Sequence, residues 1–261
     1  MSQLPQAAHL SLNLVAKELR TQYAGSVLGR LWWFFSPFFQ MALYALVFGL
    51  ILKSRPMVGS TEVPYVVYLC SGLLPWTVWS SFLGRSPQLF LDNAHYIKKI
   101  RIPKAVFLIQ SATVAFIPFI TALPLFLAIS WSLGVVPTLV GVFSLAGVTL
   151  LGLALCAGIG LILSYLNVFL RDINQLVPFL LQAAFWSLPI CYSQFTLSNG
   201  LSQVLSFNPF SGLIHLAHSG YLKQQLSSWD DIGHFSLMTA VFWALGLFVA
   251  HRTDKWVVDE L

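Results

Sequence analysis

Charge is what this chain of 261 residues lacks. Asp, Glu, Lys and Arg make up 9% of it, against roughly 25% in an ordinary soluble domain, while hydrophobic residues make up 57%. Too little charge is present to coat a globular surface, which excludes the soluble classes. The chain reads as one all-α, polytopic membrane domain spanning residues 1–261. A formal charge of +5 is small and confined to loops; Lys and Arg beside anionic lipid account for it without nucleic acid. Cysteine is scarce as well. Cys70, Cys156 and Cys191 lie in apolar runs with no Cys or His at ligand spacing, so there is neither a disulfide framework nor a metal site, and all three are expected to be packing residues.

Other absences narrow the chemistry. No window matches G-x-x-x-x-G-K-[ST], so no phosphate loop for ATP is encoded and Gly25 and Gly29 read as an elbow. Residues 1–13 contain no apolar core with a small-residue cleavage site, so the first hydrophobic span is expected to serve as its own insertion signal. Between residues 105 and 170 there is no charged residue at all. As helix, those 66 positions would run about 99 Å at ~1.5 Å per residue, some three times a hydrocarbon core of ~30 Å. The run must fold back, and the breaker is SLGVVPT at 132–138.

Six transmembrane helices follow from this pattern: 32–52, 64–83, 105–131, 137–163, 176–192 and 232–250. None contains Asp, Glu, Lys or Arg. Ion-coupled carriers generally place ionisable or polar groups at membrane depth, so energy for any transport is expected to enter from outside the membrane. Before the first span, residues 9–23 form an amphipathic interface helix. Leu12, Val15, Ala16, Leu19 and Tyr23 share one stripe, with Asn13, Lys17, Glu18, Arg20 and Thr21 opposite. Leu10 and Leu14 fall on the polar side, where protein contact is expected.

The basic stretch 84–104 holds Arg85, Lys98, Lys99, Arg101 and Lys104, five of the fourteen cations. Pro87 is suited to open a short helix and Pro103 to close the segment. The helix predicted over 87–99 groups Leu89, Phe90, Asn93 and Ile97 on one side, and these apolar residues are expected to need a docking partner. Between the last two spans, the uncharged segment 201–222, broken by Asn208-Pro209, reads as two short re-entrant helices. With the N-terminus inside, eleven of the fourteen cations fall on inner segments and three on outer ones, which places both termini in the cytoplasm.

Aromatics make up 15% of the chain. Trp32, Trp33, Phe34 and Phe38 open the first span, Trp76 and Trp79 lie in the second and Trp186 in the fifth. They read either as an interfacial belt with packing or as a lining that stacks on sugar faces. Arg171 and Asp172 are either a helix-end cap or a contact to neighbouring inner elements. His215 and His218, with Asp230 and His234, suggest a membrane enzyme for lipid-linked sugar as a reading of a different class, although two histidines are thin support for a metal.

The motifs R-x-Q-Y-A-G-S-V-L-G (20–29), WWFFSPFFQMALYALVFGLI (32–51), YLCSGLLPWTVWSSFLGR (68–85) and NVFLRDINQ (167–175) resemble the membrane subunits of polysaccharide-export ABC transporters, in particular the O-antigen, Wzm-type permeases. The resemblance covers nearly the whole chain. It implies a homodimer in the bacterial inner membrane with two copies of a separate ATPase that holds ATP and Mg2+, this chain carrying no cofactor and performing no catalysis. It further implies a coupling helix over 87–99 that docks in the ATPase, here through Leu89, Phe90, Asp92, Asn93, Ile97, Lys98 and Lys99. The interface helix and its surroundings (Arg20, Tyr23, Arg30, Arg171, Asp172) would lie near the gate, and the cargo would be lipid-linked polysaccharide. Capsule, teichoic-acid and small lipid or drug exporters of the same fold remain open.

Overall fold

The computed structural model describes residues 3–22, 25–47, 56–58, 61–99, 103–192, 208–224 and 229–260. Helix α1 (Gln3–Thr21) leads through an elbow, with Gly25 and Gly29 at φ of 82° and 49°, into α2 (Trp32–Tyr44). A two-residue antiparallel pair, β1 (Met57–Val58) with β2 (Thr61–Glu62), precedes α3 (Tyr65–Arg85). A 3-10 turn (Ser86–Gln88) then starts the short helices α4 (Leu89–Asp92) and α5 (Ala94–Lys99). The rest is α6 (Ala105–Ser132), α7 (Leu139–Phe169), α8 (Ile173–Ser187), α9 (Pro209–Leu222) and α10 (Trp229–Glu260).

Four helical runs are long and apolar enough to cross a bilayer: Tyr65–Asp92, Ala105–Ser132, Leu139–Phe169 and Trp229–Asp254. The two remaining expected spans are shorter as described. The helix Trp32–Val47 is followed by residues outside the described set. Helix α8 has 15 residues, about 22 Å at ~1.5 Å each, less than a ~30 Å core. The expected pair of short helices at 201–222 is described only in its second half, because 201–207 lie outside the described residues. Asn208-Pro209 stands at the start of that half: Asn208 Oδ1 accepts from the Phe210 N–H at 3.1 Å, and Pro209 occupies the first turn.

The uncharged run folds back at the expected breaker. Gly134 takes φ 85°, Ser130 Oγ donates to the Val135 carbonyl at 2.8 Å, and Thr138 Oγ1 accepts from the Gly141 N–H at 3.2 Å to start α7. Helix α3 is the most enclosed helix of the bundle. Helix α7 packs on α3, α9 and α10, and small residues set how closely. A Cβ on Gly158 would stand 2.9 Å from the backbone of Phe242 and Trp243 in α10, and one on Gly152 would stand 2.3 Å from the Trp79 ring. Without water to drive helix association, such close approach is how membrane helices gain contact. The three cysteines are buried and free.

Helix α1 lies across the start of α6 through a face the periodicity only half indicates. Leu14 and Val15 are buried, whereas Leu12 is 63% exposed and Ala16 is exposed too. Contact with the protein therefore uses the side shared by Leu14 and Glu18, and Leu12 and Ala16 of the apolar stripe are left outward, where lipid would cover them.

Candidate functional site

The ends of α3, α7 and α10 and the starts of α6 and α8 meet at one end of the bundle, the end that carries the basic stretch. There Glu18 of α1 accepts from Arg85 with one carboxylate oxygen, and from Gln110 Nε2 of α6 at 2.9 Å with the other. A cleft of about 310 Å³ opens beside this cluster, with Lys17, Asp92, His95, Tyr96 and Ser111 in its walls. The run from Tyr65 reaches Asp92 after 28 residues, about 42 Å at ~1.5 Å per residue, so Asp92 stands beyond a ~30 Å hydrocarbon core. Burial, then the Glu18 carboxylate, hold the Asp92 carboxyl above its ordinary range, with Arg85 opposing.

The short helices differ from the expected docking face. Leu89 and Phe90 are not left uncovered: they are 6% and 0% exposed, inside the chain's own core, with the Phe90 ring edge-on to Tyr165 of α7 at 4.9 Å. Ile97 is half-buried against the same core. Asn93 turns its Nδ2 back onto the Leu89 carbonyl at 2.9 Å and separates α4 from α5. What faces outward is Asp92, His95, Lys98 and Lys99. The pair is thus an anchored mount with a polar outer edge.

Two further clamps hold that mount. Ser164 Oγ donates to the Ser86 carbonyl at 2.7 Å. Asn167 Nδ2 donates to the Pro87 carbonyl at 2.9 Å, while its Oδ1 accepts from the Asn174 N–H at 3.0 Å. On the other flank, Lys104 pairs with Asp254 of α10, which also accepts from the Tyr165 hydroxyl at 2.8 Å. The Lys104 ammonium sits over the Phe90 and Tyr165 rings, 5.6 and 5.0 Å from their centroids. Sequence reasoning passed over Gln110 and Asn167, yet they are the two carboxamides in the uncharged run 105–170. A lone amide in such a run is the signal that was available.

Among the residues expected near a gate, Arg20 is exposed on α1, and Arg171 and Asp172 are exposed in the turn between α7 and α8. Asp172 precedes α8 but makes no side-chain cap bond. Tyr23 lies outside the described residues, and of Arg30 only the backbone is described, in the 3-10 turn Gly29–Leu31.

The candidate lining residues divide in two. Trp76 and Trp79 are 4% and 0% exposed, and Trp79 Nε1 donates to the Thr149 carbonyl at 3.0 Å. They are buried in this chain and packed against Phe210. Trp186 and Phe34 are 53% and 40% exposed, and Phe179 of α8 is 70% exposed. Trp32 and Trp33 are half-buried, with Trp32 Nε1 donating to Ser26 Oγ at 2.9 Å. Along α2, Phe34 and Phe38 stack in parallel with centroids 6.5 Å apart. Exposed rings thus occur on α2 and α8, and also at Trp131, Phe143, Trp229, Phe248 and Trp256 on other helices.

The two histidines divide between core and surface. His218 is buried, with Nδ1 2.9 Å from Ser71 Oγ, Nε2 3.1 Å from the Pro189 carbonyl, and its ring stacked on Tyr68 at 4.0 Å. Nδ1 thus joins α9 to α3, and Nε2 joins it to the segment that follows α8. His215, Asp230 and His234 are exposed, and among the described residues no group of three or more His, Cys, Asp or Glu comes together.

An apolar bundle with four runs long enough to cross a bilayer, an amphipathic helix and an anchored polar mount at one end is the architecture of a polytopic membrane protein. Residues 11–222 match the family described as ABC-2 type transporter, and the chain belongs to that family. It is similar to the O-antigen export system permease protein RfbA of Klebsiella pneumoniae, 27% identical over 199 residues that cover 76% of this chain and 74% of that protein. The protein of the same name from Myxococcus xanthus is 27% identical over 257 residues, covering 97% and 96%. The polysialic acid transport protein KpsM of Escherichia coli is 21% identical over 243 residues, covering 93% and 92%.

Proposed function

We propose that this chain is the membrane subunit of an ATP-driven exporter that moves a lipid-linked, O-antigen-like polysaccharide across the bacterial inner membrane. Similarity to an O-antigen export permease over 97% of the chain carries the reading. The working unit is a homodimer with two copies of a separate ABC ATPase, which binds ATP and Mg2+, and both termini lie in the cytoplasm. The mount α4–α5 is the coupling element. Its buried Leu89 and Phe90 make it rigid with the bundle, and Asp92, His95, Lys98 and Lys99 are the edge it offers the ATPase. Closure of the ATPase dimer on ATP displaces this edge, and the bundle follows as a body.

The exposed faces of α2 and α8 supply the conduit wall and the contact between copies. Phe34, Phe38, Phe179 and Trp186 offer flat apolar rings that stack on sugar faces without demanding one hydrogen-bond sequence, as a repetitive cargo requires. A capsule-type polysaccharide is the second reading, favoured by the similarity to KpsM along 93% of the chain.

Proteoliposomes containing this chain and an ABC ATPase that co-purifies with it test the proposal. ATP-dependent transfer of lipid-linked glycan is the expected result. Hydrolysis without transfer, or transfer without ATP, overturns it.

A further inference from the structure

We propose that Asn167 is the positioning residue that hands displacement of the α4–α5 mount to α8, the helix whose outer face carries Phe179 and Trp186. The inference rests on the coupling role proposed above for that mount.

Asn167 is 0% exposed and belongs to the last turn of α7, yet its carboxamide bonds to neither α7 nor solvent. Nδ2 donates to the Pro87 carbonyl at 2.9 Å and Oδ1 accepts from the Asn174 N–H at 3.0 Å. A carbonyl can only accept and an N–H can only donate, so the two partners determine which way the amide points. One side chain thereby joins the turn feeding α4, 80 positions away in sequence, to the end of α7 and the first turn of α8. It also does for α8 what Asp172 does not. Asp172 makes no cap bond, and the Asn174 N–H, which reaches the Arg171 carbonyl at 3.3 Å, finds its shorter acceptor in Asn167.

The surroundings are shaped for this contact. Ser164, one turn earlier, donates to the Ser86 carbonyl at 2.7 Å. Gly160, one turn earlier again, has no room for a side chain: a Cβ there would stand 2.5 Å from Ser86 Oγ. The 3-10 turn is therefore seated on α7 along three successive turns, at Gly160, Ser164 and Asn167. Apolar contacts between helices slide at small cost. A buried amide bonded at both ends does not, because release leaves the fully buried Asn167 carboxamide without its partners. The turn and the start of α8 therefore move together.

Asn167→Asp separates the two bonds. The aspartate side chain still accepts from the Asn174 N–H and, as a carboxylate, has nothing to donate to Pro87. The readout is glycan exported per ATP hydrolysed by the full complex in proteoliposomes, recorded beside recovery of the complex. With N167D the complex is recovered and export per ATP falls on the order of ten-fold, within the usual range of coupling between sites. Ser164→Ala removes the neighbouring bond without introducing charge, and a smaller loss of roughly two- to three-fold is expected on the same scale. Wild-type export per ATP in N167D overturns the proposal, as does a loss of export that only tracks loss of folded complex. Should N167D not be recovered, wild-type export per ATP in S164A overturns it. Absence of ATP-dependent export by the wild-type complex is instead a failure of the proposed function, and is read before any variant.

Discussion

Glu18 and Arg85 pair across 67 positions of sequence and fasten the amphipathic helix α1 to the end of α3. The Glu18 carboxylate is shared, its second oxygen accepting from Gln110 at 2.9 Å, so one side chain ties α1 to both α3 and α6. The pair is about a third exposed on the arginine side, and a partly solvated ion pair contributes about 0.5–1 kcal/mol. Glu18→Ala is expected to loosen α1 without unfolding the bundle. Trypsin cleavage at Lys17 and Arg20 in native membranes should accelerate, with Glu18→Gln intermediate because it keeps a hydrogen-bonding oxygen. Unchanged cleavage would mean that Leu14 and Val15 hold the helix unaided.

Lys99→Glu and Phe90→Ala separate docking from folding. Lys99 is exposed on the mount, so K99E should reduce ATPase co-purification at unchanged membrane abundance. Phe90 is fully buried, and removing a buried ring costs about 3–5 kcal/mol. F90A should therefore lower abundance and thermal stability together. Quantitative blotting beside co-purification distinguishes the two.

Asp92 gives a pH dependence with a definite sign. Its carboxyl is held above the ordinary range, by burial first and then by Glu18. The folded chain thus favours the protonated form more than the unfolded chain does. This contribution is fully present below the unfolded value of about 3.9 and is lost as pH rises through the raised folded value. Asp92→Asn should remove that component from a stability-against-pH profile in detergent and should not destabilise the chain near neutrality. A profile unaltered by D92N would contradict the assignment.

Trp79 and Trp186 should behave oppositely. Trp79→Ala empties a packed site against Gly152 and Phe210 and is expected to cost about 3–5 kcal/mol, seen as lost abundance. Trp186→Ala, at an exposed ring, should leave abundance intact and slow glycan export or weaken self-association. Equal loss of abundance in both would remove Trp186 from the conduit wall.

His218→Ala tests the remaining enzymatic reading. Its loss removes two buried hydrogen bonds and the ring stacked on Tyr68, each hydrogen bond contributing about 0.5–1.5 kcal/mol. Thermal stability should fall. An outer-face enzyme would lose turnover at unchanged stability.

The pattern of charge carried the gross organisation, and particular elements show how far it reached. The break between α6 and α7 was legible because Gly134 and Pro137 interrupt a run too long to cross a bilayer once. The boundaries of α3 and α6 were legible for the same reason, as Arg85 and Lys104 end their apolar runs. Facing was not legible. Trp76, Trp79 and Trp186 all sit in apolar sequence, and in lipid the outward side of a helix is as apolar as the inward side. Periodicity therefore cannot say which ring is core and which is surface. It misled at the mount as well, where Leu89 and Phe90 read as a face awaiting a partner but are covered by the chain itself.

By itself, the sequence determined that this protein lives in a membrane, where its chain must turn, and which end gathers cations, because each follows from the cost of placing charge or unpaired backbone in hydrocarbon. Only the tertiary structure decided that the mount is anchored through Ser164 and Asn167, that Glu18 binds Arg85, and that Trp79 is core. Those outcomes depend on which helices become neighbours, and contacts made across 67 to 150 positions leave no periodic trace in a uniformly apolar chain.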